Sequence, residues 1–176
     1  LLRLILEEAA GEDLGGYMRR RIFDPLKMSS TYLVGDAAEV TPNHAPFYAP
    51  AGDGYRHQEV KTSPGGDYAV ATTACDLALW AEAHSDSASE VSRAVARLME
   101  GAEPIPGRIG HYAFGHTVVE VGETNVVRHE GVLEANYLTR IPTLGLSVIT
   151  FGNRYYEPGE NSAIVDFLLS PTGEDR

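Results

Sequence analysis

At 176 residues, 43% hydrophobic and 22% charged, the chain has the composition of an ordinary globular domain with room for one sizeable core. Its formal net charge of -11 excludes the broad basic surface that nucleic acid or an anionic membrane would need, and its one basic run, 19–21, reads as a solvated helix face. No apolar run reaches the roughly 18 residues of a membrane-spanning helix, and the single cysteine, Cys75, can form no internal disulfide and reads as buried or inert.

Leu2, Ile5, Leu6 and Ala9 recur at helical spacing ahead of Gly11, which predicts a first helix ending near Ala10. With no capping residue or initiating Met before it, this opening is expected to lie inside a longer protein, of which the chain is the C-terminal part. Asp13 is placed to cap a second helix carrying Leu14, Tyr17, Met18, Arg21 and Ile22. That helix must stop before Pro25, because the residue preceding a proline is pushed out of helical geometry.

From Gly35 to Asp67 the sequence is rich in Pro, Gly, Asp, Ala and Tyr without sustained periodicity, which predicts a long segment with little regular structure. Tyr48 and Tyr55 within it predict an ordered, packed segment. Thr73 and Asp76 then form the spacing of a capping box before Leu77, Trp80 and Ala81 on one helical face, with Trp80 in the core. Residues 89–99 predict a further helix with the stripe Val91, Val95 and Leu98, and Pro104 and Pro106 close the helical part.

After Gly110 the texture changes to β-rich runs, "YAFGHTVVEV", "TNVVRHE", "ANYLTRI" and "GLSVITF", joined by the turns "GE", "GVLE" and "PTL". An antiparallel meander is expected, followed by a helix over 161–169 that lays Ile164, Phe167 and Leu168 on the sheet and a tail, 170–176, that frays. The fold class is thus α+β in one domain, helical and looped over 1–107 and sheet plus helix over 110–169.

Hairpin arithmetic sharpens the sheet. If Gly122 and Glu123 are the central residues of a type II′ turn, Val121 pairs with Thr124, Val119 with Val126 and Val118 with Val127. Continuation of that ladder sets His116 opposite His129 on one face.

The stretch "RHEGVLEANY" ends the second of these β-runs with His129, Glu130 and Gly131, the kind of strand terminus where chemistry is done. Together with "YMRRRIFDPLKMSSTYL", "PGGDYAVATTACDLALWAEA" and the closing strands up to "SVITFGN", it resembles the penicillin-binding-protein-like serine hydrolases, the group of class C β-lactamases, D-alanyl-D-alanine carboxypeptidases and related esterases. Lys27 stands where a glycine is usual, and Ala135 and Asn136 where a glycine and an aromatic are usual.

The resemblance implies a partial β-lactamase-like (serine β-lactamase/transpeptidase) fold and an acyl-serine mechanism on an amide, β-lactam or ester. That mechanism needs S-x-x-K, Y-x-N and a strand element of the K-T-G or H-x-G type. None of the serines has a lysine three positions later and no tyrosine has an asparagine two positions later, so only the third element is present and the 176 residues alone are expected to be inactive. By the same resemblance His129 borders the catalytic serine, its imidazole donating a hydrogen bond to a substrate carboxylate or to the tyrosine. Gly131 lets a substrate approach closely, and the backbone N–H of Val132 serves as an oxyanion-hole donor. An extended substrate could also add to this strand through backbone bonds.

Glu130 holds the variable middle position, so an outward strand residue is its default role and substrate contact the alternative. Tyr48 and Tyr55 are candidates for lining the site from the long segment, with anchoring of that segment as the other role. Arg140 is a solvent-facing cation by default or a carboxylate ligand. A metal site is disfavoured because His111 and His116, five apart on one expected strand, would face opposite sides. No cofactor is expected; the partner is a small-molecule or peptide substrate, and family resemblance favours a periplasmic or extracellular location. The strand Gly145 to Phe151 is expected to carry an uncovered edge that permits self-association. The alternative function is a non-catalytic binding or scaffolding member of the same fold.

Overall fold

The computed structural model describes residues 1–35, 42–59, 70–100, 110–113, 115–131, 136–155 and 160–169. Two compact units are present, Leu1–Val95 and Ala96–Arg176.

In the first unit, α1 spans Leu2–Ala10 and ends on Gly11 in the left-handed conformation, φ 69°, whose N–H bonds the Glu7 carbonyl. The Glu7 carboxylate clips the reversal that follows, accepting the Leu14 N–H at 3.0 Å and the Arg3 Nε–H at 2.9 Å. Asp13 caps α2, Leu14–Met18, by accepting the Gly16 N–H at 2.9 Å. Beyond Met18 the helix widens to a π-helical turn, Arg19–Phe23, in which the Asp24 N–H reaches back five residues to the Arg19 carbonyl. The π-helical turn ends at Phe23, but the expected break before Pro25 is corrected. Asp24 keeps helical angles, φ -63° and ψ -47°, and the Leu26 N–H still bonds the Ile22 carbonyl at 3.1 Å, because proline at this point removes only its own N–H and the turn can close around it. Arg19, Arg20 and Arg21 are exposed; Arg20 bonds Glu12, and Arg21 lies 3.8 Å from Glu90.

The apolar face read from the spacing of α1 is not buried among the described residues. Leu2, Ile5 and Leu6 are 77%, 54% and 44% exposed. Burial in this unit falls instead on Phe23, Met28, Phe47, Ala49, Ala81 and Ala83.

Two short strands, β1 (Tyr32–Leu33) and β4 (Val70–Ala71), pair antiparallel. Between them the expectation of little regular structure needs correction, because β2 (Tyr48–Ala51) and β3 (Gly54–His57) form a hairpin about Gly52 and Asp53. Alternating small and large residues in "YAPA" and "GYRH" hid the period of two that a richer strand would show. Helix α3, Ala74–Ser85, starts at Thr73, whose hydroxyl accepts the Asp76 N–H at 3.2 Å. Trp80 is half-buried on it, edge-on to the His84 ring at 4.6 Å. Cys75, read as buried or inert, is exposed in its first turn. Helix α4, Glu90–Glu100, follows Ser89, whose hydroxyl accepts the Ser92 N–H at 3.0 Å in the manner of a cap.

The second unit is the meander with a helix. Strands β5 (His111–Ala113), β6 (His116–Val121), β7 (Thr124–Glu130), β8 (Tyr137–Ile141) and β9 (Leu146–Thr150) lie side by side in chain order, every pair antiparallel. The run "YAFGHTVVEV", expected as one strand, is a hairpin turning at Gly115, which takes φ 82°. A 3-10 turn, Pro142–Leu144, joins β8 to β9.

Helix α5, Glu160–Leu169, contributes to the core through Val165 and Leu169, which pack with Val126, Ile141 and Leu146. The expected stripe of Ile164, Phe167 and Leu168 is 39%, 62% and 38% exposed, so the helix is rotated from the orientation its bulkiest residues suggest. Each aliphatic side chain fully buried in this cluster is worth about 1.5–3 kcal/mol, and Val165 and Leu169, one turn apart, are the pair that reach it. The tail, 170–176, lies outside the described residues.

Candidate functional site

The end of β7 is positioned by the β6–β7 turn at the strand's other end. Gly122 takes φ 60°, while among described non-glycine residues only Lys27 and Asn43 have positive φ. Glu123 therefore stays in the ordinary half of φ space, the combination type II′ requires and type I′ does not. The ladder follows: Val121↔Thr124, Val119↔Val126, Val118↔Val127 and Thr117↔Arg128. It ends there, one residue short of the expected His116–His129 pair, yet strand alternation still sets both histidines on one face.

His129 is exposed, and its Nδ1 bonds the Gly115 carbonyl in the β5–β6 turn. On its other side β7 pairs with β8, His129↔Leu138 and Glu130↔Tyr137. Past Glu130 the chain is closed by the Gly131 N–H donating to the Asn136 carbonyl at 2.8 Å. The side chain of Asn136 in turn accepts the Gly152 N–H at 3.3 Å, so this one residue ties the end of β7 to the segment after β9. Nothing in the sequence singled out Asn136 for that role; it was visible only as a departure from the family pattern.

Glu130 points to the face opposite His129, as the period of two dictates, and lies 3.2 Å from Arg128 Nε two residues back. Because β7 is hydrogen-bonded to β6 over Thr124–Arg128 and to β8 over Val127–Glu130, it is an interior strand. The expectation that a substrate could add along it is corrected to its last residues, beyond the β6 ladder. Val132, the expected oxyanion donor, lies outside the described residues. Gly131 has its own N–H committed to Asn136.

Tyr48 and Tyr55 belong to the hairpin of the first unit. Tyr48 faces His57, ring centroids 6.2 Å apart and edge-on. Tyr55 pairs with Pro50 on the same face and is 63% exposed, so the packing expected of it is corrected: Phe47 and Ala49 are the buried anchors of this hairpin.

Two further expectations change. Arg140, expected to face solvent, is 8% exposed, and burial lowers its pKa from the ordinary guanidinium range. The register Val127↔Arg140 places it on the face shared by His129. His111 and His116 do not face opposite sides, because they sit on two strands: His111 pairs with Val118, which alternation puts on the face of His116. The geometric reason given against a metal therefore fails, although among the described residues no group of three or more His, Cys, Asp or Glu side chains could hold a metal ion. No helix among them is long and apolar enough to cross a membrane.

The sequence model of the Beta-lactamase family matches residues 1–169. The chain belongs to the beta-lactamase family. No curated protein matches this beta-lactamase-family chain. Solved structures do: a D-stereospecific amidohydrolase from Streptomyces sp. at TM-score 0.75 and 15% identity, covering 97% of this chain and 52% of that one. The octameric penicillin-binding protein homologue from Pyrococcus abyssi gives TM-score 0.77 and 21% identity, with 96% of this chain and 40% of that one covered. A D-amino acid amidase from Ochrobactrum anthropi SV3, complexed with L-phenylalanine amide, gives TM-score 0.68 and 20% identity over 86% and 47%. At these identities the likeness establishes the fold, a β-lactamase-like α+β arrangement. The chain spans about half the length of these neighbours.

Proposed function

We propose that the chain is the C-terminal part of a serine hydrolase that forms an acyl-serine intermediate on an amide, β-lactam or ester, with the serine and its lysine contributed from outside these 176 residues. The observation that carries this is the family match over 1–169 together with His129 and Gly131 at a closed strand end. His129 borders the bound substrate, and Gly131 keeps that approach free of a side chain. The Val132 N–H is the second oxyanion donor, the first being the amide of the nucleophilic serine itself. Tyr48, Tyr55 and Glu130 are the candidates for substrate contacts.

Two of the structural neighbours, a D-stereospecific amidohydrolase and a D-amino acid amidase, favour an amide among the three bond types. Intact-protein mass spectrometry of the full-length protein after exposure to a fluorophosphonate or a penicillin tests the reading. One adduct, mapped to a serine that is followed three residues later by lysine and lies outside the present sequence, is expected. Absence of any adduct, with neither S-x-x-K nor Y-x-N in the remaining sequence, would replace this reading by the non-catalytic binding or scaffolding role.

A further inference from the structure

We infer that the Gly115 carbonyl fixes the tautomer of His129, so that the neutral ring offers ligands a hydrogen-bond acceptor and donates to them only when protonated. A carbonyl oxygen can only accept, so the contact between Gly115 O and His129 Nδ1 requires the hydrogen to sit on Nδ1. A neutral imidazole carries one N–H. With that hydrogen on Nδ1, Nε2 across the ring is a bare lone pair on an exposed side chain.

The turn itself supplies the carbonyl. Gly115 has φ 82°, a conformation that residues with a Cβ rarely adopt, so the glycine permits the left-handed turn that presents this carbonyl to the ring. With the tautomer so fixed, the donation to a substrate carboxylate expected of His129 would come from the protonated ring. The neutral ring suits a ligand hydroxyl, amide N–H or amine, whereas a carboxylate requires the imidazolium, in which both nitrogens donate. The ionisable groups that alternation and register put on the same face of the sheet are His111, His116, Glu120 and Arg140; Arg128 and Glu130 are on the other.

This inference rests on the proposed placement of His129 beside the substrate, but its first test does not depend on activity. Nitrogen-15 NMR of histidine-labelled full-length protein, at a pH where the imidazoles are neutral and with His129→Gln for assignment, should show His129 protonated at Nδ1 and bare at Nε2. An Nε2–H tautomer, or a mixture of the two, would overturn the inference whether or not the protein labels with a fluorophosphonate.

The second test compares binding of N-acetylalanine with N-acetylalaninamide by competition against that label. The preference for the amide should rise by about fivefold, the worth of one net hydrogen bond, as the pH passes upward through the His129 titration read by NMR, and His129→Gln should abolish the change. A preference that is independent of pH in the wild type would overturn the selectivity drawn from the tautomer. Failure of labelling would instead count against the hydrolase reading and leave the tautomer result standing.

Discussion

Thr31 and Asp76 share a buried hydrogen bond of 2.8 Å between residues forty-five apart in sequence. Asp76 also accepts the Ser30 N–H at 2.8 Å, so one carboxylate at the start of α3 gathers the segment after the π-helical turn. Since Thr31 gives its only hydroxyl hydrogen to Asp76, its 2.7 Å contact with Thr72 Oγ1 is a bond that Thr72 donates. Asp76→Ala strands both donors at once and should cost about 2–3 kcal/mol in urea unfolding. Asp76→Asn, which keeps one acceptor oxygen, should cost less. A change in the alanine variant no larger than that of an exposed surface substitution would refute the clasp.

Lys27 sits at φ 60°, the left-handed region that costs a residue with a Cβ about 1–2 kcal/mol. Part of any relief is lost to the greater freedom of an unfolded glycine, about 0.4–1 kcal/mol. Lys27→Gly should therefore stabilise the protein by about 0.5–1 kcal/mol, seen as a raised denaturation midpoint at unchanged denaturant sensitivity. A lowered midpoint would mean that the Lys27 side chain contributes more than its backbone conformation costs.

Glu7 has its pKa lowered, first by the Leu14 N–H and then by the Arg3 side chain. A carboxylate whose folded pKa is depressed stabilises the fold above its unfolded value and loses that contribution as the pH falls through the folded one. The melting temperature of Glu7→Gln should lie below that of the wild type at pH 6, and the two should converge as the pH is taken below the usual carboxylate range. A gap that persists unchanged into acid would show that the contacts do not depend on the charge.

Among the described residues β9 hydrogen-bonds to β8 alone and is the last strand of the sheet. Such an edge is a template for another strand, so this chain on its own should self-associate, with its apparent mass in sedimentation velocity rising with concentration. Ser147→Lys puts a charge at an exposed position of that strand and should shift the profile toward monomer. A wild-type chain that stays monomeric at high concentration would rule the edge out as an association site.

Wherever one local rule governed, the sequence alone determined the outcome. Gly11 ends α1, Asp13 and Thr73 cap their helices, and Gly122 with Glu123 sets the β6–β7 register. In each, the decisive contact spans only a few residues, so residue type and spacing carry the information.

What the tertiary structure decided are relations between distant segments. The spacing of α5 allowed more than one buried face, and only the sheet beneath selected Val165 and Leu169 over Phe167. Alternation placed Arg140 on one side of β8 but could not tell that this side would be buried. His129 was legible as a candidate from its neighbours in sequence. The identity of its hydrogen-bond partner was not, because the Gly115 carbonyl arrives from another turn and any residue's carbonyl could have filled the place. Backbone groups are the same at every position, so a site that uses one leaves no mark in the sequence until the fold brings it within reach.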